Sequence, residues 1–283
     1  MVAHHLLSLY GRITAFLPSW CLSLLCMLVT RVVLFTSLRS RVERGMGQFP
    51  RTRDRDVQDL ARKHIRFLIH MFHNLLYIRY HPWPRRRLAK QVRCKDEDYL
   101  KEALAGNRGV ILLSIHLGNF FWSIAYLSTL YPVNLVVRGE KDPRWEAFAR
   151  KMREMWQIKT IYSEGAALKI KQRLKRGEIV IFVLDQYISS LFYGPDHPFK
   201  QILPRIEQIS GAPVIPFYTL EDKSHVIIRF LPPLKEVSPA ILEDLVMQGV
   251  NERPDLWFWW RRLGRSEKPT GKLDGRKVIS KGP

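Results

Sequence analysis

Hydrophobic positions change their rhythm along this chain. From about residue 98, short unbroken apolar runs alternate with stretches of helical spacing. Val110–Ser114 is a near-continuous apolar run and predicts a strand buried on both faces. Phe120–Leu130 is apolar enough for a buried helix, and Val133–Val137 predicts the next strand. Pro143 opens a helix through about Gln157, and Lys159–Tyr162 is a short strand. Ala166–Arg176 reads as a basic helix ended by Gly177, and Ile179–Leu184 as a second fully apolar strand. Asp98–Ala105 predicts a short helix, while Pro213–Leu220 and His225–Leu231 predict two strands as antiparallel neighbours. The alternation argues an α/β domain over 98–265, its mostly parallel central sheet flanked by helices. The tail, 266–283, is polar and reads as loose.

Upstream the pattern differs. Residues 13–30 carry no charge and are bounded by Arg12 and Arg31. As one helix at ~1.5 Å per residue they reach roughly 27 Å, enough to cross or dip into a bilayer. Pro18 weakens a straight span, so 1–45 reads as a membrane-associated helical arm, either a signal anchor or an embedded hairpin. A buried soluble helix is the alternative. Over 46–97, Gln48–Arg51 breaks the helix and Asp56 caps a long amphipathic one. Its apolar stripe includes Val57, Leu60, Ala61, Ile65, Leu68 and Phe72, and its other face carries Arg62, Lys63, Arg66 and several histidines. Such a helix packs on the main domain or lies in a membrane interface. His81-Pro-Trp-Pro84 ends it.

Composition sharpens this picture at one point. At 283 residues and 46% hydrophobic content the chain can bury a sizeable core, but its net charge is +20. That charge implies an anionic partner: nucleic acid, an anionic membrane, an acidic protein or a phosphorylated substrate. Arg31–Arg93 holds sixteen Lys and Arg against four acids, a net +12 beside the apolar segment, as membrane electrostatics predicts. No zinc-finger spacing and no RNA-binding strand motif support nucleic acid. Cys21, Cys26 and Cys94 read as reduced packing residues. His70 and His73 stand one helical turn apart with no third ligand, so they read as a surface pair, and no metal or cofactor is expected. The Gly-x-Ser-x-Gly elbow of serine hydrolases is missing.

Candidate chemistry centres on His116. It stands where the strand from Val110 should end, just before Gly118, which permits a sharp turn or a close ligand approach. Carboxyl ends of strands in open α/β sheets are where chemistry usually sits. A strand-end histidine satisfied by backbone is the other reading.

The order of motifs resembles the bacterial lipid A biosynthesis acyltransferases, the late lauroyl and myristoyl transferases and their relatives. The landmarks are Ile115-His-Leu-Gly-Asn119, Val136-Val-Arg138, Leu174-Lys-Arg-Gly177, Leu184-Asp-Gln186, Ser210-Gly-Ala-Pro-Val-Ile-Pro216 and Trp257-Phe-Trp-Trp-Arg-Arg262. The likeness runs from the membrane-proximal helix to about residue 265. It implies a glycerolipid-acyltransferase-like fold on the cytoplasmic side of a bacterial inner membrane. It also implies acyl transfer from a thioester, on acyl-carrier protein or acyl-CoA, to a hydroxyl of a lipid A-type or other anionic lipid.

In the family, a histidine followed five residues later by Asp or Glu forms the catalytic pair. The histidine takes the hydroxyl proton and the carboxylate orients the ring. His116 matches the first position, but the second is Phe121, and no acid occurs between His116 and Arg138. Three accounts stay open. A carboxylate from elsewhere reaches the ring, with Asp185 the best candidate; Asn119 or a backbone carbonyl orients it; or the protein binds lipid without efficient transfer. The resemblance further implies substrate contacts from Arg138, Asn119, Gly118 and Gln186, with Arg138 binding phosphate or the developing oxyanion. A salt bridge from Arg138 to Glu140 or Asp142, and a turn-capping Asp185, are the structural alternatives. Trp257–Trp260 with Arg261, Arg262 and Arg265 suits a headgroup level or a buried strand end, and Phe120, Phe121 and Trp122 would line an acyl cavity.

Overall fold

The computed structural model describes residues 9–264 except 50, 51, 53, 54, 82, 140, 141, 163, 164, 186–201, 223 and 224. Two helices open the described chain after a helical segment at 9–14: α1 (Ser19–Leu34) and α2 (Ser37–Gly47). Then follow α3 (Val57–Tyr80), α4 (Pro84–Gln91), β1 (Val92–Lys95), α5 (Asp98–Ala105), β2 (Val110–Ser114), α6 (Phe120–Leu130), β3 (Val133–Val137) and α7 (Pro143–Met155). The rest is β4 (Lys159–Tyr162), α8 (Ala166–Lys175), β5 (Ile179–Val183), α9 (Ile202–Ser210), β6 (Val214–Asp222), β7 (His225–Phe230), α10 (Pro239–Glu252) and α11 (Trp260–Leu263).

Among the described residues, seven strands form one sheet in the order β1-β7-β6-β2-β5-β3-β4. Every pairing is parallel except the β6–β7 hairpin. The continuous apolar runs follow from burial on two sides. Val110 and Leu112 of β2 belong to one core, Ile111 and Leu113 to the other. β5 divides the same way, with Ile179, Ile181 and Val183 on the first side and Val180 and Phe182 on the second. Helices cover both faces, so β2 and β5 are apolar throughout except for buried Ser114 at the end of β2.

The sequence pattern and the structure part company near the N-terminus. The uncharged stretch 13–30 is not one helix: a turn spans 15–17, Pro18 stands before α1, and α1 runs past Arg31 to Leu34. Proline lacks the N–H and fixes φ, which ends one helix and opens the next. Among the described residues no single helix is long and apolar enough to cross a membrane, although the pair Trp20–Leu34 and Ser37–Gly47, bent by 78°, passes by length and composition together. α3 is capped by Asp56, whose side chain accepts from the N–H groups of Gln58 and Asp59, and packs against α1 and α2.

His73 corrects the surface-pair expectation. It is buried, it meets the Tyr10 ring edge-on at 6.4 Å, and among the described residues neither of its nitrogens finds a partner. Burial first, then Arg87 and His70, push its pKa down to about 4, so the ring is neutral. Several elements escaped the pattern, among them α4, β1, α9 and α10. α4 buries only Leu88, and edge strand β1 alternates Val92 and Cys94 with basic residues.

Candidate active site

The site forms where β2 and β5 end side by side. Ser114 pairs with Val183 in parallel register, and the two chains leave the sheet together, held by Leu184 N–H to the Ser114 carbonyl at 2.7 Å. Two residues further on, each strand delivers its polar side chain. His116 Nδ1 lies 2.6 Å from Asp185 Oδ1. The other carboxylate oxygen accepts from the His116 backbone N–H at 3.0 Å and from the Trp257 indole N–H at 2.9 Å.

Asp185 is fully buried, while the His116 side chain keeps 17% exposure. A buried carboxylate is costly unless its oxygens are filled, and here three donors fill them. The consequence for the ring is a defined tautomer. With Nδ1–H directed at Asp185, Nε2 retains its lone pair. Phe120, Trp259 and Phe258 surround the ring at centroid distances of 4.6, 5.1 and 6.3 Å.

A tight turn sets this up. Leu117 N–H bonds back to the Ile115 carbonyl, and Gly118 follows with φ +58°. A Cβ at Gly118 would come 2.5 Å from the Thr219 carbonyl oxygen of β6, so glycine is required for conformation and for space. From the far end of the domain, 256–258 crosses over this turn. Gly118 N–H donates to Leu256 O, Phe258 N–H donates to His116 O, and Leu117 bridges Trp257. Trp257 and Trp260 are wholly buried and meet edge-to-face at 4.7 Å, so these two rings form an internal wall and not a headgroup row. Trp259 is half-buried with the Arg262 guanidinium over it.

A second polar pair supports the loop from beneath. The Asn119 amide donates to Glu221 at the end of β6, and its own oxygen is buried without a partner among the described residues. Burial pushes the Glu221 carboxyl up to about 7; the Asn119 hydrogen bond and Arg253 pull against that shift. Arg253 also donates to the Glu221 carbonyl and clamps Asp255 through two nitrogens. His64, inside α3, bonds the Asp255 carbonyl at 2.9 Å and is held neutral by burial, its pKa down to about 4.

The remaining candidates fall as follows. Arg138 is exposed just past β3, two strands from β2 on the same carboxyl edge, roughly 10 Å away by strand spacing. Its possible partner Asp142 is engaged with Arg144 at 2.9 Å, and Glu140 lies outside the described residues. Gln186 and Arg265 also lie outside them. Asn119 is committed to Glu221, and Asp185, not Asn119, holds the His116 ring. Trp122 is buried with its indole N–H towards the Asn74 carbonyl, and Phe120 and Phe121 pack half-buried against the core. Among the described residues no group of three or more His, Cys, Asp or Glu side chains is placed to hold a metal ion. Pattern reading missed Trp257 as a donor to Asp185 and Glu221 as the partner of Asn119; the aromatic run 257–260 was visible, but nothing local says where its indoles point.

A buried carboxylate fixing one nitrogen of a half-open histidine, in an aromatic enclosure, suits proton abstraction from a hydroxyl. A family model described as bacterial lipid A biosynthesis acyltransferase matches residues 3–265. No curated protein matches the chain.

Proposed function

Because the chain belongs to the bacterial lipid A biosynthesis acyltransferase family, we propose a membrane-bound O-acyltransferase in which His116 is the general base and Asp185 its orienting partner. The observation that carries this reading is the Nδ1 contact with Asp185 at 2.6 Å, in a chain whose local acid position is Phe121. Nε2 takes the proton of the acceptor hydroxyl as its oxygen attacks the thioester carbonyl. Asp185 stabilises the imidazolium that results. Arg138, on the same sheet edge, faces the anionic acceptor or the oxyanion. Collapse breaks the C–S bond, and the imidazolium returns its proton to the departing thiolate. The donor is an acyl thioester on acyl-carrier protein or coenzyme A; a protein of charge +20 favours the acidic carrier. The acceptor is a hydroxyl of a lipid A-type or other anionic lipid, on the cytoplasmic side of a bacterial inner membrane.

The test is transfer from labelled acyl-carrier protein to lipid extract. His116→Ala is expected to fall to background, and Asp185→Asn to lose about 10²- to 10⁴-fold in turnover. Phe121→Glu gains nothing, because Nδ1 is already taken. Equal rates for wild type and His116→Ala would sink the catalytic role. The second reading, a lipid binder without efficient transfer, rests on Phe121. It would be favoured by lipid binding with no transfer in wild type, and by a large gain in Phe121→Glu.

A further inference from the structure

Away from His116, at the N-terminus of α4, is a cleft of about 510 Å³ lined by Trp83, Pro84, Arg85, Arg86, Met155 and Trp156. Four features of it converge. First, α4 starts with proline at its first position, and no side chain caps it. The N–H groups of Arg85 and Arg86 are therefore the open donors of that helix end. Second, the first turn is Pro-Arg-Arg-Arg with no acidic residue, the reverse of the charge a helix N-terminus prefers. Cations stacked on a positive helix end repel one another until an anion joins them. Arg87 is already committed, stacked over Tyr77 at 3.9 Å and bonded to Gln91; Arg85 and Arg86 are exposed. Third, Trp156 in the wall is 2% exposed and lies under the Arg85 guanidinium at 6.0 Å, and among the described residues its indole N–H has no acceptor. The charged side chains of this lining, Arg85 and Arg86, are both cationic, and no acid stands among the lining residues.

The fourth feature says where the anion comes from. His81, stacked on Tyr77 at 4.4 Å, also meets two exposed rings, Phe16 tilted at 6.1 Å and Trp83 edge-on at 6.0 Å. Phe16 belongs to a ridge that continues through Trp20, Leu24, Val32 and Phe35, all exposed large apolar side chains. The opposite side of the same helices, with Ala15, Leu22 and Cys26, is buried. An apolar ridge ending beside a cationic cleft has the profile of a lipid surface, acyl region next to headgroup phosphate. We propose that this cleft binds the phosphate of a membrane lipid headgroup while the ridge lies in the plane of the bilayer. This rests on the membrane-bound reading above and adds a specific headgroup site to it.

Full-length protein would be tested by flotation with vesicles of an uncharged galactolipid, with and without phosphatidylglycerol. Phosphatidylglycerol is expected to tighten binding, and Arg85→Ala/Arg86→Ala to weaken it roughly 10- to 30-fold. Removing the same charge elsewhere, at exposed Lys175 and Arg176, should cost about threefold or less. Equal losses in the two double variants, or none in Arg85→Ala/Arg86→Ala, would overturn the site. So would arginine-dependent binding of glycerol phosphate in solution with vesicle binding unchanged, since the ligand would then be a soluble phosphate. Phe16→Glu/Val32→Glu separates the two readings. If it abolishes flotation while the arginine variants match wild type, the membrane-bound reading stands and the cleft does not. If wild type itself does not float on either vesicle, the membrane-bound reading falls first.

Discussion

Glu221 is an acid whose charge the site loop feels directly, because Asn119, the residue before α6, is bonded to it. Its ordinary value is 4.5 and burial brings it to about 7. Between those values the unfolded chain has released the proton and the folded chain still holds it. The carboxyl's stabilising contribution is therefore full below 4.5 and lost as pH rises through 7. Glu221→Gln cannot ionise, so it should match wild type near pH 4.5 and be more stable by roughly 1–3 kcal/mol at about pH 8. Urea unfolding at the two pH values reads this, and a pH-independent difference would refute it. At this scale the sequence revealed some of the site and hid the rest. His116 and Asp185 each follow an apolar run, and parallel neighbours bring such ends together, so their meeting was legible. Trp257 reaches Asp185 across 72 residues of chain, and Glu221 reaches Asn119 across 102. No local pattern encodes either contact.

Elements were legible where burial imposes a period. The strands at 110, 133, 159 and 179 and the helix at 120 stand where their apolar runs do. β1 and α4 hid because an edge strand and a surface helix bury too little to leave a signature. Close packing of elements was equally invisible. α2 lies with its backbone on α11: a Cβ at Gly45 would meet the Trp260 carbonyl oxygen at 2.2 Å, and one at Gly264 would meet the Arg41 carbonyl oxygen at 1.8 Å. Neither neighbour is a flexible side chain. Gly45→Ala should therefore cost about 1–3 kcal/mol in thermal or urea unfolding and lower activity, by moving the segment that carries Trp257. Gly47→Ala, on the same helix with nothing within 4 Å, is the control and should be neutral or slightly stabilising. If both behave alike, the contact between α2 and α11 is not what holds that segment.

For the whole molecule, charge is the property that sequence alone conveyed in full. A surplus of +20 on 283 residues steers an acidic partner towards the protein before any contact forms. With acyl-carrier protein as donor, kcat/KM should fall about tenfold as salt rises from low to physiological strength, while kcat stays near its starting value. A salt-independent kcat/KM would argue that the carrier is not the donor. What sequence did not convey is closure. His116 and Asp185 come from the middle of the chain, yet the segment that covers them, 256–260, comes from the end of the matched region. During synthesis the ribosome therefore delivers His116 and Asp185 long before their cover. Until Trp257 has emerged, Asp185 lacks one of its three donors and the turn at Gly118 lacks its backbone partner. The proposed centre is completed last, so on the acyl-transfer reading an unfinished chain would not act on a thioester it meets.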